Sequence, residues 1–305
     1  MSDFTANFWS VYVAGFTLVG ILACLVLLWV TARKKIVSAA DNTTGHVWDE
    51  DLTEMNNPMP RWWMWLFVLT IVFSFLYLAA YPGLGTYEGE LGWTSKAAYE
   101  GEVDRANKEL APLYAQFTAR KVEEVAGDPQ AMAIGERLFM NNCAQCHGSD
   151  ARGSKSFPNL ADGDWLHGGA SAKIAETITK GRVGVMPPMA AAVGTSDDVK
   201  NVAHYVLSLS NSPHDSLRAQ LGKGKFMACA ACHGPDGKGN PAMGAPNLAD
   251  DTWLHGWGEQ AIINIVNHGK TNEMPAQAGK LTDAQIHVLS GYVWGLSNKP
   301  AAGKP

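Results

Sequence analysis

Hydrophobic positions are spread unevenly along the 305 residues. Phe8–Ala32 is a run of apolar and small residues without a charge. It is long enough to cross a hydrocarbon layer as a helix, which takes ~20 residues. Trp62–Tyr81 is a second uncharged span, rich in aromatics. It has no polar face to turn to water, which is unusual for a helix of a soluble core. Both are predicted transmembrane helices. A cleaved secretory leader fits the first span poorly, because Met1–Asn7 has no Lys or Arg and the apolar run exceeds the usual ~7–15 residues.

Beyond residue 82 the pattern changes. Pro82–Gln130 opens with Gly83, Gly85 and Gly89, then turns charged and helix-favouring over Tyr99–Arg120. That composition predicts a helix resting on a partner or on the rest of the chain, since a leash would hold more Ser, Gly and Pro. Ala131–Asn142 carries Met132, Ile134, Leu138 and Phe139 at roughly helical spacing, and Leu221–Cys229 is its counterpart. Asp197–Leu209 and Asp283–Leu296 read as two further helices with Ser196 and Thr282 near their N-caps.

Charge orients the membrane part. The 33–61 connection holds Arg33, Lys34, Lys35 and Arg61, and the N-terminal tail holds no basic residue. The positive-inside rule places that connection in the cytoplasm, with both termini on the other face. Of the net charge of −5, residues 1–130 contribute 15 acidic and 9 basic side chains, 131–210 contribute 7 of each, and 211–305 contribute 7 acidic and 8 basic. The C-terminal half is near neutral, which predicts no strong steering of a partner by net charge and excludes nucleic acid as a partner.

That half is a duplication. Cys143-Ala144-Gln145-Cys146-His147 recurs as Cys229-Ala230-Ala231-Cys232-His233. Pro158-Asn159-Leu160-Ala161-Asp162 recurs as Pro246-Asn247-Leu248-Ala249-Asp250, and Trp165-Leu166-His167-Gly168 as Trp253-Leu254-His255-Gly256. Gly181 to Pro187, with Met186-Pro187, is matched by Gly269 to Pro275, with Met274-Pro275. The offset is 86 residues at the first cysteines and 88 at the methionines. Two copies of this size are a duplicated small domain, not a solenoid.

Cys-x-x-Cys-His is the attachment signature of c-type haem, with two thioethers and a proximal histidine. A redox dithiol or half of a zinc site is the milder reading of Cys-x-x-Cys. The adjacent His and the second matched element in each copy favour two covalently bound haems c. Cys143, Cys146 and His147 would hold the first, and Cys229, Cys232 and His233 the second. Cys24, inside the first span, is a small apolar residue. Met186 and Met274 are the candidate distal ligands, and a thioether there raises the reduction potential. His167 and His255 also repeat and are the rival ligands; their other reading is a place near a haem propionate or a turn. Whether each Met serves its own copy's haem or the other's stays open at this level. Pro158 and Pro246 can accept a hydrogen bond from the ligand histidines through their carbonyls. Arg182 stands beside the first Met loop and could pair a propionate. With both axial positions filled the haems would transfer electrons, and no active site of the chain's own is expected.

The order motif, loop, Met-Pro, terminal helix resembles class I cytochrome c from about 131 to 298. The fold expected is mainly α, with two N-terminal transmembrane helices followed by two tandem class I cytochrome c-like domains. Its parts are 1–35 (first transmembrane helix), 36–61 (cytoplasmic loop), 62–82 (second transmembrane helix), 83–130 (partly helical connector), 131–210 (first domain) and 211–305 (second domain).

His46-Val47-Trp48-Asp49-Glu50-Asp51-Leu52-Thr53-Glu54-Met55-Asn56-Asn57-Pro58-Met59-Pro60-Arg61-Trp62-Trp63 reads as a polar loop whose Asn-Pro turn leads into an interfacial Trp pair. It closely resembles the segment before the main transmembrane helix in the dihaem subunit of cbb3-type cytochrome c oxidases, the CcoP/FixP family. Met55 and Met59 stand where that family has leucines, and an extra first helix occurs in only some members. The resemblance implies a subunit in the bacterial inner membrane with its haem domains in the periplasm. It would take electrons from periplasmic c-type cytochromes and relay them to the monohaem subunit. From there they reach the catalytic haem-copper subunit, which reduces oxygen and drives proton translocation. A membrane-anchored dihaem cytochrome that shuttles electrons alone is the rival. Replacing Cys229 or Cys232 with Ala should impair covalent haem attachment at the second motif and spare the first. Haem staining of the denatured chain, with total haem from its alkaline pyridine spectrum, reads the outcome.

Overall fold

The computed structural model describes residues 6–33 and 42–298, so Lys34 and Lys35 of the basic connection lie outside the described residues. The chain divides into two compact units, 1–109 and 110–305.

In the first unit, α1 (Asn7–Arg33) and α2 (Arg61–Ala80) are the two apolar spans. Only Ser10, Leu28 and Ile71 of these helices are buried, so nearly their whole apolar surface needs lipid or other chains to cover it. Ser10 Oγ accepts from the Thr86 backbone N–H at 2.8 Å and donates to Thr86 Oγ1 at 3.1 Å. The start of α1 therefore lies beside the chain that has just left α2, which makes the two helices antiparallel neighbours. Between them, where the sequence predicted a polar loop, β1 (Thr43–Trp48) pairs antiparallel with β2 (Leu52–Met55). Asp49 and Glu50 take φ of 47° and 72°, and this left-handed turn folds the β-favouring Val47-Trp48 onto Leu52-Thr53. Thr44 Oγ1 donates to Glu54 across the strands at 2.9 Å.

The connector helix α3 (Ser95–Thr118) continues through Pro112. In its last turns, within the second unit, Phe117 is 1 % exposed and packs with Leu113 and Tyr114 against Val125, Ala131, Ile134 and Val288. These last turns thus rest on the duplicated part. After it come α4 (Val122–Val125), α5 (Pro129–Asn142), α6 (Ala144–His147), α7 (Ser171–Lys180), β3 (Arg182–Met186), α8 (Ala190–Val193) and α9 (Ser196–Leu209). The second copy supplies α10 (Ser216–Lys225), α11 (Met227–His233), α12 (Glu259–His268), β4 (Lys270–Met274) and α13 (Asp283–Asn298). Helix ends follow side-chain caps. Asp128 caps α5, with Pro129 at its first position. Thr195 and Asp198 form a capping box at α9, where the sequence suggested Ser196. Thr282 and Gln285 cap α13 in the same reciprocal way.

Two of the hydrophobic cores are assembled across the copies. One joins Val199, Val202, Val206 and Leu207 of α9 to Phe226, Cys229, Ile262 and Val266. The other joins Phe139, Ile174 and Ile178 to Ile286, Leu289 and Val293 of α13. The last helix of each copy therefore packs on the leading helix of the other, and 131–210 and 211–305 are units of sequence repetition whose cores interlock. Aromatic pairs match across both seams: Phe226 lies 5.1 Å from Tyr205, and Phe139 lies 5.6 Å from Tyr292, between ring centroids. A glycine permits each close approach. A Cβ on Gly135 would fall 2.5 Å from Tyr292 Cβ, and one on Gly222 would overlap the Asn201 carbonyl oxygen. Because that obstacle is backbone, Gly222→Ala should destabilise the fold by about 1–3 kcal/mol. The measurement is thermal unfolding by circular dichroism; an unchanged midpoint would mean that α9 and α10 can separate freely.

Candidate cofactor sites

Each Cys-x-x-Cys-His motif lies at the wall of a cleft. The first motif brings Cys143, Cys146 and His147 to one cleft. The second brings Cys229 and His233 to another.

The short helices α6 and α11 carry the motifs, and Gly148 and Gly234 end them at φ of 79° and 80°. The chain then loops back so that His147 Nδ1 lies 3.0 Å from the Pro158 carbonyl oxygen, and His233 Nδ1 lies 3.0 Å from that of Pro246. A carbonyl only accepts, so Nδ1 carries the proton and donates, and Nε2 keeps its lone pair. This is the second-shell arrangement that orients a histidine for a metal. Burial holds both imidazoles below the usual histidine range, hence neutral, with the proline carbonyls opposing the shift only in part. Burial, followed by the neighbouring Cys146, pushes the Cys143 thiol up to about 11. A redox dithiol needs the opposite, a depressed thiol. Among the described residues no three His, Cys, Asp or Glu side chains converge as a structural zinc ion would require. The residues present fit haem: an apolar cleft, a thiol pair and a histidine fixed by its second shell.

The remaining predicted residues fall as follows. His167 lines the first cleft and His255 the second. His167 hydrogen-bonds the Pro241 backbone and packs against Gly244; burial and then the Arg182 charge hold it below its usual range. His255 Nδ1 is 3.2 Å from Ser156 Oγ. Each repeated histidine thus reaches the loop of the other copy. Met274 lines the cleft of Cys143, Cys146 and His147, whereas Met186 lines the cleft of Cys229 and His233. Arg182 lines the first cleft, with its guanidinium 3.2 Å from Glu176. Leu254 lines both clefts, and no sequence signal set it apart from its counterpart Leu166. Asp164, also unsignalled, lines the first cleft, and burial raises its carboxyl, helped by Asp250.

Fold and clefts together describe a helical protein built on a duplication, with two membrane-length helices and two clefts whose residues fit a covalently attached haem. Residues 40–88 match the family model described as the N-terminal domain of cytochrome oxidase-cbb3, FixP. Residues 130–206 and 220–293 match that described as cytochrome C oxidase, cbb3-type, subunit III. The chain is 63% identical over 297 residues to the cbb3-type cytochrome c oxidase subunit CcoP of Rubrivivax gelatinosus, covering 97% of each. It is 42% identical over 272 residues to the FixP subunit of Rhizobium meliloti, covering 83% of this chain and 93% of that one. It is 36% identical over 273 residues to CcoP of Cereibacter sphaeroides, covering 83% and 94%. The chain belongs to the CcoP/FixP family of cbb3-type cytochrome c oxidase subunits. It is accordingly a membrane protein, and haem c is its implied cofactor.

Lys173 and Arg182 hold the Glu176 carboxyl down to about 2, from a reference of 4.5. A depressed carboxylate stabilises the fold above its unfolded pKa, and that contribution is lost as pH falls through the folded value. The stability advantage of the parent over Glu176→Gln should therefore be constant above about pH 5. It should shrink below pH 4.5 and vanish near pH 2. Difference curves of unfolding midpoint against pH test this; an advantage that persists at pH 2 would remove the ion pair as its source.

Proposed function

We propose that this chain is the electron-transfer subunit of a proton-translocating cbb3-type oxidase. It takes electrons from periplasmic c-type cytochromes and relays them through two c haems. They then pass by way of the monohaem subunit to the catalytic haem-copper subunit. The observation that carries this reading is the pair of matched clefts, each uniting a motif cysteine, a histidine with Nδ1 on a proline carbonyl, and a methionine.

Two class I cytochrome c-like modules account for the duplicated part. Cys143 and Cys146 hold one haem and Cys229 and Cys232 the other, with His147 and His233 as proximal ligands and Met186 and Met274 as distal ligands. Each haem, when bound, supplies a one-electron iron couple. The protein residues fix the coordination beforehand, so little has to move as an electron passes. The proline carbonyls hold the imidazoles in the Nε2-ligating tautomer. The methionine thioethers favour ferrous iron and set a high potential. The apolar walls keep water from the metal, and Leu254, shared by both clefts, makes the two haem sites contiguous.

The antiparallel pair α1 and α2 anchors the chain, with lipid against its exposed apolar faces. Arg33 and Arg61, at the ends that meet the hairpin, place the hairpin in the cytoplasm by the positive-inside rule. The duplicated part then lies in the periplasm. The match over residues 40–88 favours assembly into an oxidase over a lone shuttle, because a simple anchor needs no such segment.

Deletion of the chain should abolish most oxygen uptake driven by reduced c-type cytochrome in membranes. Mild-detergent purification of the tagged chain should recover subunits with b-type haem and copper. Recovery of the chain alone, with oxygen uptake unchanged by its deletion, would overturn the oxidase role in favour of the shuttle.

A further inference from the structure

We infer that Ser156, His255 and Asn272 form a brace through which the second copy positions His147, the histidine of the first motif, and that the second motif lacks this brace. The three are positioning residues for the proximal ligand of the first haem. The inference rests on the reading that both motifs hold haem, and deepens it by making the two sites unequal.

The brace acts on the loop that returns to the histidine. His147 Nδ1 donates to the Pro158 carbonyl at 3.0 Å, so whatever fixes Pro158 also fixes the imidazole. Two positions earlier, Ser156 is gripped three times by the other copy. Its N–H donates to the Leu254 carbonyl at 2.6 Å. Its carbonyl accepts from Asn272 Nδ2 at 3.0 Å. Its hydroxyl lies 3.2 Å from His255 Nδ1. Ser156 also holds a φ of 74°, in the left-handed region where a serine is uncommon. Such a conformation persists where its surroundings over-determine it, and here three bonds do so.

The duplication supplies the comparison. At the offset of 88 residues, Gly244 stands for Ser156, Leu166 for Leu254, His167 for His255 and Gly184 for Asn272. Gly244 takes nearly the same φ, 70°, which glycine adopts without strain. It has no hydroxyl to offer His167, whose ring occupies the place a Cβ would take. Gly184, directly across the ribbon from Asn272, has no amide to offer. Among the described residues no backbone bond joins the Gly244 N–H to Leu166. His167 reaches Pro241 instead, further along the loop from Pro246. Both loops close on themselves, Ser154 with Phe157 and Asn240 with Ala245. Only the first is also held at the residue that leads into its histidine's acceptor. A serine kept in a glycine conformation is accounted for by its hydroxyl bond to His255. The brace therefore acts through second-shell hydrogen bonding, one of the levers that sets a haem potential.

The test uses the full chain with both haems. Asn272→Ala should speed hydrogen exchange across residues 153–157 about fivefold, the worth of one hydrogen bond, and leave residues 240–245 unchanged by mass spectrometry. In a spectroelectrochemical titration it should raise the potential of the first haem and leave the second unmoved. A less supported histidine is a poorer donor, which favours ferrous iron. A Cys229→Ala/Cys232→Ala chain, which retains the first haem alone, assigns the component that moves. Ser156→Gly is the second variant. Glycine takes this φ freely, so the thermal midpoint should hold or rise while the same potential rises. Faster exchange with both potentials unmoved would reduce the brace to a structural contact and overturn the inference. A shift at the haem of Cys229 and Cys232 would overturn it too. Absence of covalent haem in the unaltered chain would instead overturn the haem reading beneath it.

Discussion

The antiparallel pairing of Arg182–Met186 with Lys270–Met274 is the constraint on which the rest of the duplicated part depends. Five residues on each side decide where everything downstream must go. Beyond β3, α9 buries its apolar face on α10 and α12, and beyond β4, α13 buries its face on α4, α5 and α7. Gly135 and Gly222 then allow those helices to close to backbone contact, and the Phe139–Tyr292 and Phe226–Tyr205 pairs fill the seams. Neither core is complete with one copy alone.

A second constraint is local and occurs twice. The histidine of each motif can present Nε2 to a cleft only because the chain returns within a dozen or so residues to offer a proline carbonyl to Nδ1. Proline suits this place, since it lacks an N–H and its carbonyl remains free to accept. Burial keeps the imidazole neutral, and a neutral imidazole with one fixed N–H is a ready ligand. The chemistry expected of the clefts follows from this preorganisation, since an electron carrier works best when its coordination does not change with charge.

The first unit follows a different physics. Its helices have no core to bury in, and its hairpin is held by a left-handed turn and a short ladder. The uncharged faces of α1 and α2 are stable only against hydrocarbon or other apolar helices, which agrees with membership in a membrane oxidase family. The connector α3 ends by inserting Phe117 between α4, α5 and α13, which fixes the path by which the chain enters the haem-binding part.

Much of this was legible in the residues alone. Two uncharged spans of about 20 residues or more announce membrane helices, because a bilayer sets their length. Cys-x-x-Cys-His announces haem attachment, because covalent chemistry sets its spacing. Residues 46–63 announced the family. The caps of α9 and α13, Thr195 and Thr282, fall within a residue of the Ser196 and Thr282 that composition implies. The hairpin at residues 43–55 was not legible, since it turns on positive φ at Asp49 and Glu50, where a glycine signal is absent. Nor was the cleft that each methionine lines. Met186-Pro187 and Met274-Pro275 are alike in sequence, and a repeat looks the same whether its copies fold separately or through one another. The sequence by itself determined which residues are the candidates for the chemistry, because spacing and side-chain type are local properties. Only the tertiary structure decided which copy's cleft each methionine lines, because strand register and close helix packing are relations between segments some 88 residues apart.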